Sequence, residues 1–340
     1  MKSERLGKTL KNIGITLLFP IVMLILMELV SLTQNTHIIV SSLDIQNLIR
    51  QTGVTTLIAC ALSFNLTCGR MDLSLGAQRL IGVIIGGNIA MKLGFNGIGL
   101  LIFAFLFGLV FGAVTGFAFV ITKVPAMVLG IGVGLVYEAI AFIATDGVGL
   151  NIFGVQGMNI LTSELFNVSV VVIFVLLIMY VLEYTTYGYH LRAIQGSQRI
   201  SKAAGINVYL NAILSYSFAG GAVCVAGILD AAINNGMPCA TGFTSNGSTM
   251  SNLFPMFLGL YLARWSNQPI GILAASLTLK IFALGLVRLN LNSSMTNVVT
   301  MALFLLFLIF LANENSGKVK RAEKARIAMA EEKKKLLAAA

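Results

Sequence analysis

The chain has 340 residues, 57% of them hydrophobic and 11% charged, with a mean hydropathy of +0.90. Soluble domains carry about 25% charged residues, so a globular enzyme built on one large core is excluded and a polytopic membrane protein is expected. The net charge of +10 is gathered at the ends and in a few loops, the pattern of the positive-inside rule and not of nucleic-acid binding.

Residues 1–12 carry Lys2, Arg5, Lys8 and Lys11 against Glu4. The apolar run that follows, 13–31, is too long for a signal-peptide core and lacks a small-residue cleavage site, so it reads as a retained anchor with Glu28 near its far end. Further spans are expected at 46–66, 73–91, 98–121, 125–145, 166–184, 209–231, 250–263, 269–287 and 294–312, about ten in all. The run 250–263 is too short to cross upright unless the path is thinned. With both termini in the cytoplasm, Arg70, Lys123, Arg192, Arg199, Lys202, Arg264 and the C-terminal tail fall inside. Segments 32–45, 146–165 and 232–249 then lie outside without a Lys or Arg, and only Arg50, Lys92 and Arg288 fall at or near the outer side. The expected fold is an all-α transmembrane bundle over 1–312, placed in the cell (inner or plasma) membrane, with a charged cytoplasmic tail over 313–340. That tail alternates basic and acidic residues at helical spacing and reads as a solvated helix with weak attraction to anionic lipid.

No catalytic, cofactor or metal site is expected. The four cysteines form no C-x-x-C pair and only two histidines are present. No G-x-x-x-x-G-K-[ST] loop cradles ATP phosphates. Cys60 and Cys224 read as small packing residues. Gly130-x-Gly132-x-Gly134, the Gly82/Gly86 pair and the Gly108/Gly112/Gly116 series read as close helix packing, because apolar contact gives little net drive between helices in lipid.

Two connectors stand out. Asn65-Leu-Thr-Cys-Gly69-Arg70-Met-Asp72-Leu-Ser74-Leu-Gly76 is a turn between spans, in which Gly69 can end one helix and Asp72 or Ser74 can cap the next. From Tyr187 to Val208 a basic segment without an acid separates two apolar runs; it suits a short helix, interrupted at Gly196 and capped by Gly205. By physics alone it is a solvated loop or a docking element for a cytoplasmic partner.

The stretch from Thr186 through Tyr187-Gly188, Ala193-Ile194-x-Gly196 and Ala203-Ala204-Gly205-Ile206-Asn207-Val208 resembles the cytoplasmic loop of ribose-type, or simple-sugar-type, ABC transporter permeases. Asp72-Leu73-Ser74-x-Gly76 is similar to the G-G-I-D-L-S-V-G signature of sugar-type permeases, with Arg70 in place of its second glycine, and Ser215–Gly227 is similar to a third run of that family. The resemblance covers roughly 46–310. It departs at Tyr137-Glu138, where an R-G pair is usual, and after 250, where only Gly259 and Gly271 line up.

The resemblance implies an ABC importer permease working with an ATP-binding subunit, an extracytoplasmic solute-binding protein and a second permease copy. The solute it implies is a monosaccharide, or a nucleoside as the next choice. It implies that Gly188, His190, Leu191, Arg192, Ala193, Ile194, Gly196, Arg199, Ala203, Ala204 and Gly205 form a coupling helix on the ATP-binding subunit. Candidates for the translocation path are Asn65, Asn88, Tyr137, Glu138 and Asn252, since polar groups inside spans usually face a cavity or another helix, and Phe64, whose ring suits stacking on a sugar or base face. Glu138 is either paired with a residue such as Lys280 or kept protonated by burial, or else it is a hydrogen-bonding group of the path. A stand-alone secondary transporter using Glu138 as a proton-linked carboxyl is the alternative class.

Overall fold

The computed structural model describes residues 2–155 and 157–339, and the side chains of residues 14–155, 157–314, 316 and 317. Five helices open the chain: α1 (Lys2–Leu32), α2 (Ser42–Leu66), α3 (Leu75–Lys92), α4 (Gly97–Thr122) and α5 (Ala126–Ala144). After strand β1 (Leu150–Asn151) come α6 (Asn159–Thr162) and α7 (Glu164–Tyr184), then two short helices, α8 (Thr186–Gly196) and α9 (Gln198–Ala203). The long α10 (Val208–Ile233) leads to strand β2 (Gly236–Met237), α11 (Ser245–Met250) and α12 (Leu253–Leu262), and α13 (Gln268–Arg288) and α14 (Ser293–Ala339) follow. Among the described residues the fold is all-α apart from one two-stranded ladder, in which β1 and β2 pair antiparallel with Leu150 opposite Met237. Two residues per strand are too few to leave an alternating pattern in the sequence.

Two compact units are present, Met1–Leu284 and Gly285–Ala340. Among the described residues, seven helical stretches are long and apolar enough to cross a membrane: Gly14–Leu32, Gly97–Thr122, Ala126–Ala144, Glu164–Tyr184, Val208–Ile233, Gln268–Arg288 and Ser293–Glu314. Helices α2 and α3 have 25 and 18 residues but are more polar, α2 through Asp44, Asn47, Arg50 and Gln51 and α3 through Gln78, Arg79 and Asn88. The expected span 250–263 is realised as the ten-residue α12, about 15 Å long and half the thickness of a bilayer core. The second unit shows no turn at 312: α14 runs unbroken into the tail. The side chains of Lys2, Arg5, Lys8 and Lys11, and those of the tail beyond 317, lie outside the described residues.

In the first unit α10 is the central helix and α4 its most extensive neighbour. Glycine makes this possible. A Cβ on Gly108 would sit 2.5 Å from the Gly220 carbonyl oxygen, and one on Gly112 would sit 2.9 Å from Ser217 Cα. On α3, a Cβ on Gly86 would meet Ala104 Cα of α4 at 3.0 Å. Backbone therefore lies on backbone, and a bare hydrogen is the only side chain that fits. Cys60 and Cys224 are buried at 1% and 0% exposure. Away from these contacts α4 shows Leu106, Val110, Phe117 and Ile121 at its surface.

The connectors sort to two ends. The α2–α3 turn, the α4–α5 turn and the α9–α10 stretch share one cavity at Gly69, Arg70, Lys123, Pro125, Gln198 and Tyr209. At the opposite end Asn88 Nδ2 donates to the Gly149 carbonyl (3.1 Å), the Gly97 N–H donates to the Gly157 carbonyl (3.2 Å), and β1 pairs with β2. The basic loops thus collect at one end and the loops devoid of Lys and Arg at the other.

Candidate functional site

Three polar constellations lie along the bundle. At the basic end, α8 is an amphipathic helix laid across the bundle. Tyr187, Leu191 and Ile194 recur at i, i+4 and i+7 and are buried; Tyr187 meets Ser215 of α10 (Oη to Oγ, 2.9 Å). Phe64 packs in an aromatic cluster behind this helix, with ring centroids 6.5 Å from both Tyr187 and Phe218. Thr185 caps α8, accepting at Oγ1 from the Gly188 N–H (3.3 Å). Gly188 is required there, because a Cβ would drive into the backbone of Leu182.

The helix breaks at Ser197, whose extended backbone (φ −165°) and Oγ cap α9 by accepting from the Ile200 N–H (3.4 Å). Gly196 is the last residue of α8, so the interruption expected at Gly196 falls one residue later. Gly205 adopts φ +85° and closes α9, with the Ile206 N–H donating to the Ser201 carbonyl (3.0 Å). Gln195 Nε2 donates to Thr67 Oγ1 and Gln198 Nε2 to the Cys68 carbonyl, both at 2.9 Å, so both short helices are tied to the α2–α3 turn.

Among the residues expected on the coupling helix, Gly188, Leu191 and Ile194 are buried, whereas His190, Arg192, Ala193, Gly196, Arg199, Ala203, Ala204 and Gly205 are exposed. Arg192 is nonetheless engaged within the chain. Its Nη2 donates to the Leu182 carbonyl (3.0 Å) and its Nη1 to Glu183 Oε2 (3.2 Å), which caps the end of α7.

The second constellation surrounds the α2–α3 turn. Gly69 (φ +74°) closes α2, with the Arg70 N–H donating to the Asn65 carbonyl at 3.1 Å. Asp72 does not cap the N–H groups inside α3. Its Oδ1 accepts from the N–H and Oγ of Ser74 (2.8 and 2.6 Å), a local turn that folds the carboxylate back on the chain. Its Oδ2 faces Asn65 Nδ2 and Gln78 Nε2, each at 3.4 Å. Gln78 reaches on to Ser74 Oγ (2.7 Å) and Thr115 Oγ1 (3.4 Å), and Thr115 meets Tyr137 Oη at 3.1 Å. One buried polar chain therefore joins α2, α3, α4 and α5. Burial pushes the Asp72 carboxyl up to about 6, against the pull of Ser74, Gln78 and Asn65.

The third constellation lies toward the opposite end. Glu138, 1% exposed, accepts from the Phe243 N–H at Oε2 (2.7 Å) and from the Ser245 N–H at Oε1 (2.9 Å). The alternative pairing with Lys280 is not formed; that ammonium reaches Gln51 Oε1 at 3.5 Å. Glu138 thus anchors the segment entering α11, and Gly76 lets that segment approach α3, since a Cβ there would lie 2.5 Å from the Ser245 carbonyl oxygen. Beside it opens a cavity of about 710 Å³ lined by Arg79, Asp230, Asn151, Asn234, Ser248 and neighbouring backbone. Arg79 joins its walls, with Nη1 3.4 Å from Asp230 Oδ2 and Nη2 donating to Ser248 Oγ at 2.8 Å.

Of the candidate path residues, Asn65 and Tyr137 belong to the turn network and Glu138 to the anchor. Asn88 ties α3 to Gly149, and Asn252 Nδ2 donates to the Ser248 carbonyl at 2.9 Å. None of the six lines the large cavity. Sequence reasoning passed over Arg79 and Asp230, although opposite charges inside the expected spans 73–91 and 209–231 were the available signal.

The ribose import permease protein RbsC of Escherichia coli (strain K12) is 25% identical over 297 residues, 84% of this chain and 90% of that protein. The fructose import permease protein FrcC of Rhizobium meliloti is 24% identical over 252 residues, 70% of this chain and 69% of that protein. A solved inward-facing conformation of a metal-chelate type ABC transporter covers 88% of this chain and 99% of its own at 14% identity and a TM-score of 0.47. A family model described as branched-chain amino acid transport system / permease component matches residues 45–308, which takes in all three constellations. This multi-pass, all-α membrane protein therefore belongs to that permease family.

Proposed function

We propose that the chain is the membrane-spanning subunit of an ABC importer that carries a monosaccharide or similar polyol across the cell membrane, with ATP hydrolysed on a separate subunit. Family membership supports the importer class, and the relatives described as ribose and fructose import permeases support the solute class. The observation that carries the solute reading is the Arg79–Asp230 pair in the 710 Å³ cavity. A sugar hydroxyl both donates and accepts. A carboxylate, a guanidinium, two amides and a serine hydroxyl offer both kinds of partner, while the pair's mutual neutralisation favours an uncharged solute.

The positive-inside rule puts the basic end in the cytoplasm and opens the cavity toward the outside, where a solute-binding protein would deliver. The ATP-binding subunit docks on the exposed face of α8 and α9, formed by His190, Ala193, Arg199, Ile200, Ala203 and Ala204. Leu191 and Ile194 beneath it transmit movement to α10 and the α2–α3 turn. A second copy of the chain completes the pathway. Uptake of labelled ribose and fructose by cells expressing the chain, or its Arg79→Gln and Asp230→Asn variants, tests the reading. Loss of at least tenfold in rate, with protein still in the membrane, is expected. Unchanged uptake in both variants contradicts it.

A further inference from the structure

The cavity at the basic end holds a charge that the transport reading does not use. Arg70 is 4% exposed, yet neither Nη1 nor Nη2 has a hydrogen-bond partner. Asp72, two residues on, is committed to Ser74, Asn65 and Gln78 and leaves Arg70 alone. A buried guanidinium without acceptors is costly, because its lost hydration is not replaced. Yet Arg70 lines a cavity of about 540 Å³ that also includes Lys123, Gln198 and Tyr209 and no acidic residue. Lys123 sits at the α4–α5 turn with φ +55°, a left-handed conformation that few side chains adopt. Two cations from separate connectors thus share one concavity with a neutral amide and a phenol.

We infer that this cavity binds a small phosphate-bearing anion. The guanidinium fork matches two phosphate oxygens, which supply the acceptors that Arg70 lacks, and the ammonium supplies a mobile second charge. The site bridges the α2–α3 turn, the α4–α5 turn and the start of α10. It also touches Gln198, which ties α9 to Cys68. An occupant therefore braces the base of the docking helices and would alter how readily they move. The phosphate could be free in solution or the headgroup of an anionic lipid; the chemistry recognised is the same.

The test is thermal unfolding of the purified full chain in nanodiscs of neutral phosphatidylcholine, titrated with inorganic phosphate against chloride at matched ionic strength. A parallel arm uses nanodiscs containing phosphatidylglycerol without added phosphate. A saturable rise of a few degrees with phosphate, absent in Arg70→Gln and reduced in Lys123→Asn, supports a free anion. A rise confined to the phosphatidylglycerol arm, and lost in the same variants, supports the site with lipid as its source. Asparagine tolerates the backbone at 123 and that side chain is exposed, so Lys123→Asn remains informative if Arg70→Gln fails to fold. No stabilisation in either arm, or equal stabilisation in wild type and Lys123→Asn, overturns the inference.

Discussion

Glu138 shows how much one carboxylate decides at the residue scale. Both its oxygens are taken by backbone N–H groups of the segment entering α11, so its job in the fold is anchorage. Replacing it with Gln turns one acceptor into a donor facing an N–H, and the unmet group should cost about 1–3 kcal/mol. Thermal unfolding of Glu138→Gln is expected to show that loss, and the pH profile of any residual uptake should match wild type. A flattened pH profile with undiminished stability would instead favour the proton-linked carboxyl of a secondary transporter. Asp72 carries a second prediction. Its carboxyl sits at about 6 when folded against 3.8 when unfolded, so the folded chain holds the proton longer. Its contribution to stability is full below pH 4 and falls as pH rises toward 6, by about 3 kcal/mol. Asp72→Asn should flatten that part of the pH–stability curve; an unchanged curve would assign the dependence to another group. Sequence patterns mark such residues as polar and enclosed but do not name their partners, which for Glu138 lie more than a hundred positions away.

At the scale of elements, the long apolar runs were legible because hydropathy and length alone make a spanning helix. The cut of the basic loop into α8 and α9 was half legible: Gly196 pointed to a break, but Ser197 makes it by capping the next helix. The β1–β2 ladder and the split between α11 and α12 were not legible, since each depends on contacts between distant segments. The small-residue faces are the firmest reading at this scale, except at Gly132, expected in close packing but with nothing within 4 Å of its Cβ position. Gly108→Ala should lower the melting temperature markedly, because its Cβ meets the backbone of α10. Gly132→Ala should leave it unchanged, because nothing lies within 4 Å. Equal melting temperatures would mean that α4 and α10 do not lie in such close contact. For the docking helices, Ile200→Glu should abolish association with the ATP-binding subunit without altering the melting temperature, as Ile200 is 71% exposed. Retained association, measured by co-purification, would move the docking surface elsewhere.

For the whole molecule, sidedness follows from the separation of basic connectors from those without Lys or Arg. A membrane-impermeant maleimide should label Thr241→Cys on intact cells and Lys202→Cys only after permeabilisation, in a background with the four native cysteines replaced by serine. Labelling of both from outside would break the topology. If the chain is one subunit of an ATP-driven importer, its partner should survive gentle solubilisation of native membranes followed by affinity capture. An ATP-hydrolysing subunit is expected to be captured with the chain and to be lost when Arg199 and Ile200 are replaced together. A chain that elutes without ATPase activity across several mild detergents, yet still supports solute uptake in proteoliposomes, would contradict it.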